Sequence, residues 1–251
     1  MRNSVIALVA VTIVSMLIGF VWLPSAHSDF TAKGLWDAIC RAAGVPGSWG
    51  NGDVVAGKPG TSVVLLPEMR IGSSESAGRG GSLALEKCTM CHGARGVSSA
   101  NTPNLAGQYP EVIIKQLLDY KRGDRASAAM QAIAAPLDER QVRDLAAYYA
   151  SLPPPRNTPV TDMAKVPRLV SVGDPMRNIA PCAACHGGME QKLGAPWLEG
   201  MPKDYLLAQL GDFASGARAN DSHAQMRNMV RSLTKQEIVE VAEFYARQKS
   251  E

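Results

Sequence analysis

The sequence lacks a marked excess of either charge and has little sign of β-structure. Its 26 Lys and Arg residues nearly balance 23 Asp and Glu residues, for a formal net charge of +3. Binding to a polyanion would need a basic patch, so nucleic acid is not an expected partner. No alternating apolar and polar run of useful length is present, whereas apolar residues return every three or four positions in several segments. We therefore expect an all-α protein.

Cysteine and histidine are also scarce, yet most of them fall into a repeated pattern. The chain has five Cys and four His, and two copies of Cys-x-x-Cys-His account for the majority. The copies are Cys88, Cys91 and His92, and Cys182, Cys185 and His186. Two thiols at this spacing form thioether bonds to haem vinyl groups, and the adjacent His places its imidazole on the iron. The pattern predicts two covalently attached haem c groups.

A structural metal site and a thiol–disulfide switch are weaker interpretations of the same motifs. A zinc site usually takes about four Cys or His ligands, and each motif clusters only three. A thioredoxin-like switch is expected in a βαβ setting, which the helical periodicity does not provide.

The two motifs lie in an internal repeat. The matching segments are 101–125 with 194–218, and 137–150 with 233–246. We therefore expect two homologous domains of three or four short helices each, 77–150 and 161–251. The Pro-rich segment 151–160 between them is predicted to be a stiff, extended linker. The last helix of each domain is expected to pack through an aromatic pair, Tyr148 with Tyr149 and Phe244 with Tyr245.

The repeat also indicates a second axial ligand for each iron. Met130 and Met226 occupy equivalent positions, before the Leu that opens the last helix of each domain. A Met is ordinarily core filler, so it is the equivalence that singles out these two. Met229 is the competing ligand in the second domain, and His223 is interpreted as a surface histidine. Met/His coordination fills both axial positions and raises the haem potential, which favours electron transfer over catalysis.

Two further pairs of equivalent residues are candidates for the haem environment. The carbonyls of Pro103 and Pro196 are placed to accept a hydrogen bond from the imidazole of the preceding motif and fix its orientation. Arg125 and Arg218 either meet haem propionates or are solvated residues at helix ends, and the sequence leaves both interpretations open.

One long uncharged run, Val5–Leu23, lies at the N-terminus. It is longer than the ~7–15 apolar residues of a cleaved signal peptide and falls within the ~17–25 of a membrane helix. Residues 1–28 are therefore expected to be a retained anchor rather than a signal cleaved after Ser28, and either form delivers the chain outside the cytoplasm. Residues 29–76 are predicted to be an irregular tether with one short helix, in which Cys40 is a free thiol packed under Trp36.

The segments CTMCHG, CAACHG and TPNLAG, with the late Met, make each domain resemble a small class I cytochrome c. The tandem resembles the dihaem cytochrome c4 family over about residues 77–250. The resemblance implies two domains packed about a pseudo-twofold axis, with their haem propionate edges facing. It also implies haem ligation by Cys88, Cys91, His92 and Met130 in one domain, and by Cys182, Cys185, His186 and Met226 in the other.

The resemblance further implies an electron carrier on the periplasmic side of the bacterial inner membrane, and not an enzyme. A quinol-oxidising complex or a dehydrogenase is the expected donor, a terminal oxidase is the expected acceptor, and the long leader favours a membrane tether. One alternative is the haem subunit of a dehydrogenase, such as the partner of a sulfide-oxidising flavoprotein. A dihaem peroxidase or a thiosulfate-oxidising enzyme is a weaker alternative, because an enzyme would need an open axial position.

Overall fold

The computed structural model describes residues 2–18, 60–155, 165–187 and 192–247. These residues belong to two units, one containing the N-terminal helix and the other everything from Gly60 onward. The predicted helix around Trp36 and Cys40 lies outside the described residues.

The N-terminal unit contains helix α1, Arg2–Leu17, which is 16 residues long. Its described side chains from Val5 onward are apolar or small and exposed. Of the helices in the described ranges, none is both long and apolar enough to cross a membrane. The predicted apolar run continues to Leu23, outside these ranges, so the choice between anchor and cleaved signal stays a prediction.

The second unit contains two successive helical modules. The first consists of a 3₁₀ helix, Pro67–Arg70, followed by α2 (Ser74–Lys87), α3 (Thr89–His92), α4 (Pro110–Arg122), α5 (Ala128–Ala134) and α6 (Glu139–Ser151). The second consists of α7 (Arg168–Ser171), α8 (Ala183–His186), α9 (Lys203–Ser215), α10 (Gln225–Val230) and α11 (Lys235–Arg247), with 3₁₀ helices at Pro175–Arg177 and Ser222–Ala224.

The prediction of an all-α fold is confirmed, since the described ranges contain no strand. Each module has more helices than the three or four expected, because the Cys-x-x-Cys-His segment itself winds into a single turn, α3 or α8. The predicted linker is described only as far as Pro155, so the proposed domain boundaries stay predictions.

Local sequence signals set the bounds of the longer helices. Helix α4 begins with Pro110, whose missing N–H is not needed in the first turn, and ends at Gly123, which has a left-handed φ of 79°. Helix α6 begins with a capping box in which Asp138 and Gln141 each accept from the other's backbone N–H.

The core of each module forms where its longer helices meet. In the first module α2, α4 and α6 bury an apolar cluster that includes Ile113, Leu117, Leu145 and Tyr149. In the second module α7, α9 and α11 bury one that includes Leu169, Leu206, Val241 and Tyr245. Full burial of each aliphatic side chain stabilises the fold by about 1.5–3 kcal/mol, and these cores hold the short motif helices in place.

Residues 60–66, called the strap here, belong to the predicted tether and contact both modules. In the first module, the Thr61 hydroxyl donates to the fully buried Asp119 carboxylate. In the second, the Leu65 side chain of the strap packs against Gly194, where an added Cβ would overlap it. The strap therefore spans the two haem-motif modules.

Candidate functional site

Each Cys-x-x-Cys-His motif is one turn of helix. The His92 amide donates to the Cys88 carbonyl at 3.0 Å, and the His186 amide donates to the Cys182 carbonyl at 2.9 Å. No disulfide joins the four motif cysteines. This turn holds two thiols and one imidazole on a single short segment, the arrangement that attachment to one haem requires.

The two motif histidines are buried and oriented alike. His92 is 7% exposed and His186 is 8% exposed. Nδ1 of His92 lies 2.9 Å from the Pro103 carbonyl oxygen, and Nδ1 of His186 lies 3.0 Å from that of Pro196. This confirms the hydrogen bonds predicted from the repeat. Because a carbonyl only accepts, Nδ1 carries the proton and Nε2 is left to bind a metal.

Burial also keeps both imidazoles in the form that binds metal. It lowers the pKa of His92 and of His186, although the hydrogen bonds to the prolyl carbonyls oppose this shift. Each ring is therefore neutral at neutral pH, as an iron ligand must be.

Two buried tyrosines lie beside the cysteine motifs. Tyr149 and Tyr245 are equivalent in the repeat and are both 2% exposed. Burial raises the pKa of each phenol, and so do the nearby thiols of Cys88 and Cys182, respectively. Within the described ranges the Tyr245 hydroxyl and the indole N–H of Trp197 have no hydrogen-bond partner, and the Tyr149 hydroxyl has the Cys88 thiol as its neighbour. An unmade hydrogen bond of this kind costs about 1–3 kcal/mol.

The aromatic pairs are predicted to be packing residues, and the two cores confirm this. Tyr149 and Tyr245 do pack in the two cores, but their hydroxyls also lie beside the cysteine motifs. The signal that sequence analysis missed is that a Tyr, not a Phe, occupies the inner position of both pairs.

The candidate methionine ligands lie in equivalent helices. Met130 is in the first turn of α5 and packs against the core of its module. Met226 is in the first turn of α10. This helix begins directly after His223 and Ala224, which have left-handed φ values of 53° and 55°. The competing Met229 accepts a hydrogen bond at its sulfur from the Ala180 amide, at 3.4 Å. This contact occupies Met229 and favours Met226 as the ligand.

Arg125 and Arg218 exchange hydrogen bonds between the modules. Arg125 donates to Gln209 at 2.6 Å, and Arg218 donates to Gln116 at 3.3 Å. Each guanidinium also lies over an aromatic ring of its own module. Cζ of Arg125 is 4.7 Å from the centre of the Tyr120 ring, and Cζ of Arg218 is 4.4 Å from that of Phe213. The interpretation of both as solvated helix-end residues is therefore wrong.

The two guanidiniums form a positively charged centre between the modules. Burial and the charge of Arg125 lower the pKa of Arg218 to about 10, so both stay cationic at neutral pH. Their hydrogen-bond acceptors, over the described part of the chain, are neutral amide and phenol oxygens. The fully buried Asp119 carboxylate is an anion near both guanidiniums, and haem propionates would add further negative charge at this centre.

Comparison with known proteins identifies the family. A family model for cytochrome c matches residues 77–153. The chain is 39% identical over 163 residues to cytochrome c4 of Thiocapsa roseopersicina, a match that covers 62% of this chain and 84% of the relative. The chain belongs to the cytochrome c4 family. It is an electron-transfer protein that carries two haem c groups, for which its two Cys-x-x-Cys-His motifs fit.

One solved structure and one further relative agree with this family assignment. The crystal structure of reduced cytochrome c4 from Pseudomonas stutzeri matches with a TM-score of 0.61 and 28% identity, over 72% of this chain and 100% of that chain. The thiosulfate dehydrogenase electron acceptor of Stutzerimonas stutzeri (strain A1501) is 35% identical over 175 residues, which cover 66% of this chain and 81% of that protein.

Proposed function

We propose that this cytochrome c4 relays single electrons on the periplasmic side of a bacterial inner membrane, toward a terminal oxidase. In this proposal Cys88, Cys91, Cys182 and Cys185 hold the two haems covalently, and His92, Met130, His186 and Met226 are the axial ligands. The observation that carries it is the matched geometry of the two motifs, in which each buried imidazole donates through Nδ1 to a prolyl carbonyl.

The protein residues supply orientation, charge and exclusion of other ligands. The prolyl carbonyls hold each imidazole in the tautomer that binds iron through Nε2. Met130 and Met226 would supply the second protein ligand of each iron, which would leave no vacancy for a substrate and raise the potential of each haem. Arg125 and Arg218 would bind the propionates of the two haems. A haem held in this way supplies reversible one-electron exchange.

The cellular setting follows from the N-terminal apolar run. Val5–Leu23 directs export, and its length favours a retained anchor that keeps the cytochrome at the membrane surface. A quinol-oxidising complex or a dehydrogenase is the donor in this scheme.

The test is to count haems on the exported protein and to measure the far-red methionine-to-ferric-iron charge-transfer absorption per haem. Two haems with two full Met bands, followed by rapid oxidation by a terminal oxidase, is the expected result. One band for two haems would mean that one iron is open or differently ligated, and the assignment of a pure relay would then fail.

A second candidate function is service as the electron acceptor of a dehydrogenase. The relative named as a thiosulfate dehydrogenase electron acceptor, matched over 81% of its length, favours this function. The haem subunit of a sulfide-oxidising flavoprotein is another form of the same function. The purified cytochrome can be mixed with a thiosulfate dehydrogenase and, separately, with a quinol-oxidising complex. Faster reduction by the dehydrogenase would assign the protein to this branch, and faster reduction by the quinol-oxidising complex would assign it to the respiratory relay.

A further inference from the structure

The loop that orients His186 is held by a residue of the other module. Pro196, whose carbonyl accepts from His186, is followed by Trp197, whose backbone pairs with the side chain of Gln108. The Trp197 amide donates to Gln108 Oε1 at 2.9 Å, and Gln108 Nε2 donates to the Trp197 carbonyl at 3.0 Å. Gln108 is 4% exposed, so water does not compete for these bonds.

One peptide group carries both contacts. The carbonyl of Pro196 and the amide of Trp197 belong to the same planar peptide unit. Gln108 binds the N–H end of this unit, and the imidazole of His186 binds its C=O end at 3.0 Å. Hydrogen bonds arranged in series through one group polarise each other, so the bond to Gln108 makes the carbonyl a stronger acceptor for His186.

Neighbouring contacts hold the two loops in register. Asn104, which is buried, donates through Nδ2 to the Gly200 carbonyl at 2.9 Å. The Gly200 amide donates to the Tyr245 carbonyl at 2.8 Å, and the equivalent Gly107 amide donates to that of Tyr149 at 2.9 Å. Each loop is therefore tied to the last helix of its own module, so the position of Gln108 relative to the 196–197 peptide is fixed.

Among the described residues, only the first module contributes a bidentate contact of this kind to the loop of the other module. The residue of the second module that aligns with Gln108 is Met201, which is buried. A thioether has no N–H to donate and accepts hydrogen bonds weakly, so Met201 cannot make the reciprocal bidentate contact with the loop of the first module.

We propose that Gln108, a residue of the first module, is a positioning residue for the haem iron of the second module, acting through the 196–197 peptide on His186. The proposal rests on the ligand roles proposed above. A stronger hydrogen bond at Nδ1 makes the imidazole a better electron donor to iron, which stabilises the ferric state. Gln108 therefore lowers the potential of the second haem, leaves the first haem unaffected, and makes the two sites inequivalent.

The test is the variant Gln108→Met, which installs the residue already present at the equivalent position of the second module. NMR-monitored redox titration of the dihaem protein assigns a potential to each haem. We expect the potential of the second haem to rise and that of the first to stay unchanged, with an upfield shift of the His186 Nδ1 proton in the reduced protein. That proton reports the hydrogen bond directly, and a merely structural role for Gln108 would not move it selectively.

A matched control removes a different contact between the modules. Asp204 accepts from Asn101 at 3.2 Å on the exposed rim, and Asp204→Ala should leave both potentials and the His186 proton unchanged. Gln108→Asn, which keeps the amide but shortens the side chain, is a milder second variant. It should raise the potential of the second haem by a smaller amount, and it replaces Gln108→Met in the test if that variant does not fold.

The proposal is overturned if Gln108 variants leave the second haem unchanged, if they shift both haems equally, or if Asp204→Ala reproduces the effect. Failure of the proposed function gives a different result, because the wild-type protein would then lack the two His/Met spectra before any variant is compared.

Discussion

The Arg125 side chain of the first module donates to the Gln209 side chain of the second, with 2.6 Å between Nη2 and Oε1. Arg218 returns the contact to Gln116, the equivalent of Gln209. Both modules thus contribute the same pair of residue types to one buried centre, as expected for an interface between two copies of a repeat related by a twofold rotation. The centre carries two positive charges where the proposed haem propionates meet.

Arg125→Gln should lower the haem potentials and weaken the contact between the modules. A nearby cation favours reduced iron, which carries one positive charge fewer, and each hydrogen bond from a charged donor contributes about 1.5–3 kcal/mol. Redox titration and urea unfolding measure the two effects. Arg122→Gln is the control, because Arg122 is exposed and contacts Ser62 of the strap. Equal effects of the two substitutions would show that Arg125 has no special place beside the haems.

Met130→Ala and Met226→Ala should each abolish the far-red charge-transfer absorption of one haem and lower its potential. Loss of the thioether opens the sixth position, so the affected haem should also bind cyanide, while the other haem keeps its spectrum. Absorption spectra and cyanide titration of each variant check this. Met229→Ala is the control, since the sulfur of Met229 accepts from the Ala180 amide; the assignment in the second module is wrong if Met229→Ala alters a haem spectrum and Met226→Ala does not.

Gly80→Ala should destabilise the first module, whereas Gly78→Ala in the same helix should not. A Cβ at Gly80 would overlap the backbone carbonyl of Asp144 in α6, so α2 and α6 would have to separate, at a cost of about 1–3 kcal/mol or more. A Cβ at Gly78 meets nothing within 4 Å, and Ala there should stabilise the helix by about 0.5–1 kcal/mol. Urea unfolding followed by circular dichroism separates the two. Similar destabilisation by both would mean that the close approach of these helices is not what requires glycine.

Protonation of Glu237 should make the second module lose stability in acid. Its carboxylate accepts hydrogen bonds from Arg177 at 3.1 Å and from the Thr234 amide at 2.8 Å. These contacts, of which the one with Arg177 has the larger effect, lower the pKa of Glu237 from 4.5 to about 2. A carboxyl whose pKa is lower in the folded state stabilises the fold above its unfolded pKa. That contribution is lost as the pH falls from about 4.5 to about 2.

The check is the free energy of unfolding between pH 5 and 2 for the wild type, Glu237→Gln and Glu240→Gln. Glu237→Gln should be less stable at pH 5 and should depend less on pH over this window. Glu240 is exposed on the same helix, so its substitution should leave the wild-type slope. A wild-type slope in Glu237→Gln would assign the acid sensitivity to other groups.

Much of the site could be predicted because it depends on short-range spacing. Two Cys and a His within one helical turn are a local pattern, and the resulting turns, α3 and α8, are found where the motifs lie. The prolyl carbonyls were predictable for the same reason, since each lies shortly after its motif and at an equivalent point of the repeat. The environment of Arg125 could not be predicted, because the sequence near it does not show that Gln209, far along the chain, is its partner.

By itself the sequence determined the helical fold class, the family and the expectation of two haem c groups, because helix periodicity, motif spacing and an internal repeat are all properties of neighbouring residues. Only the tertiary structure decided which groups meet between the modules. The strap contact of Thr61 with Asp119, the position of Tyr149 beside Cys88, and the link from Gln108 to the 196–197 peptide all join residues far apart in the chain. Such contacts depend on how the packed helices bring their loops together, and no local pattern encodes that.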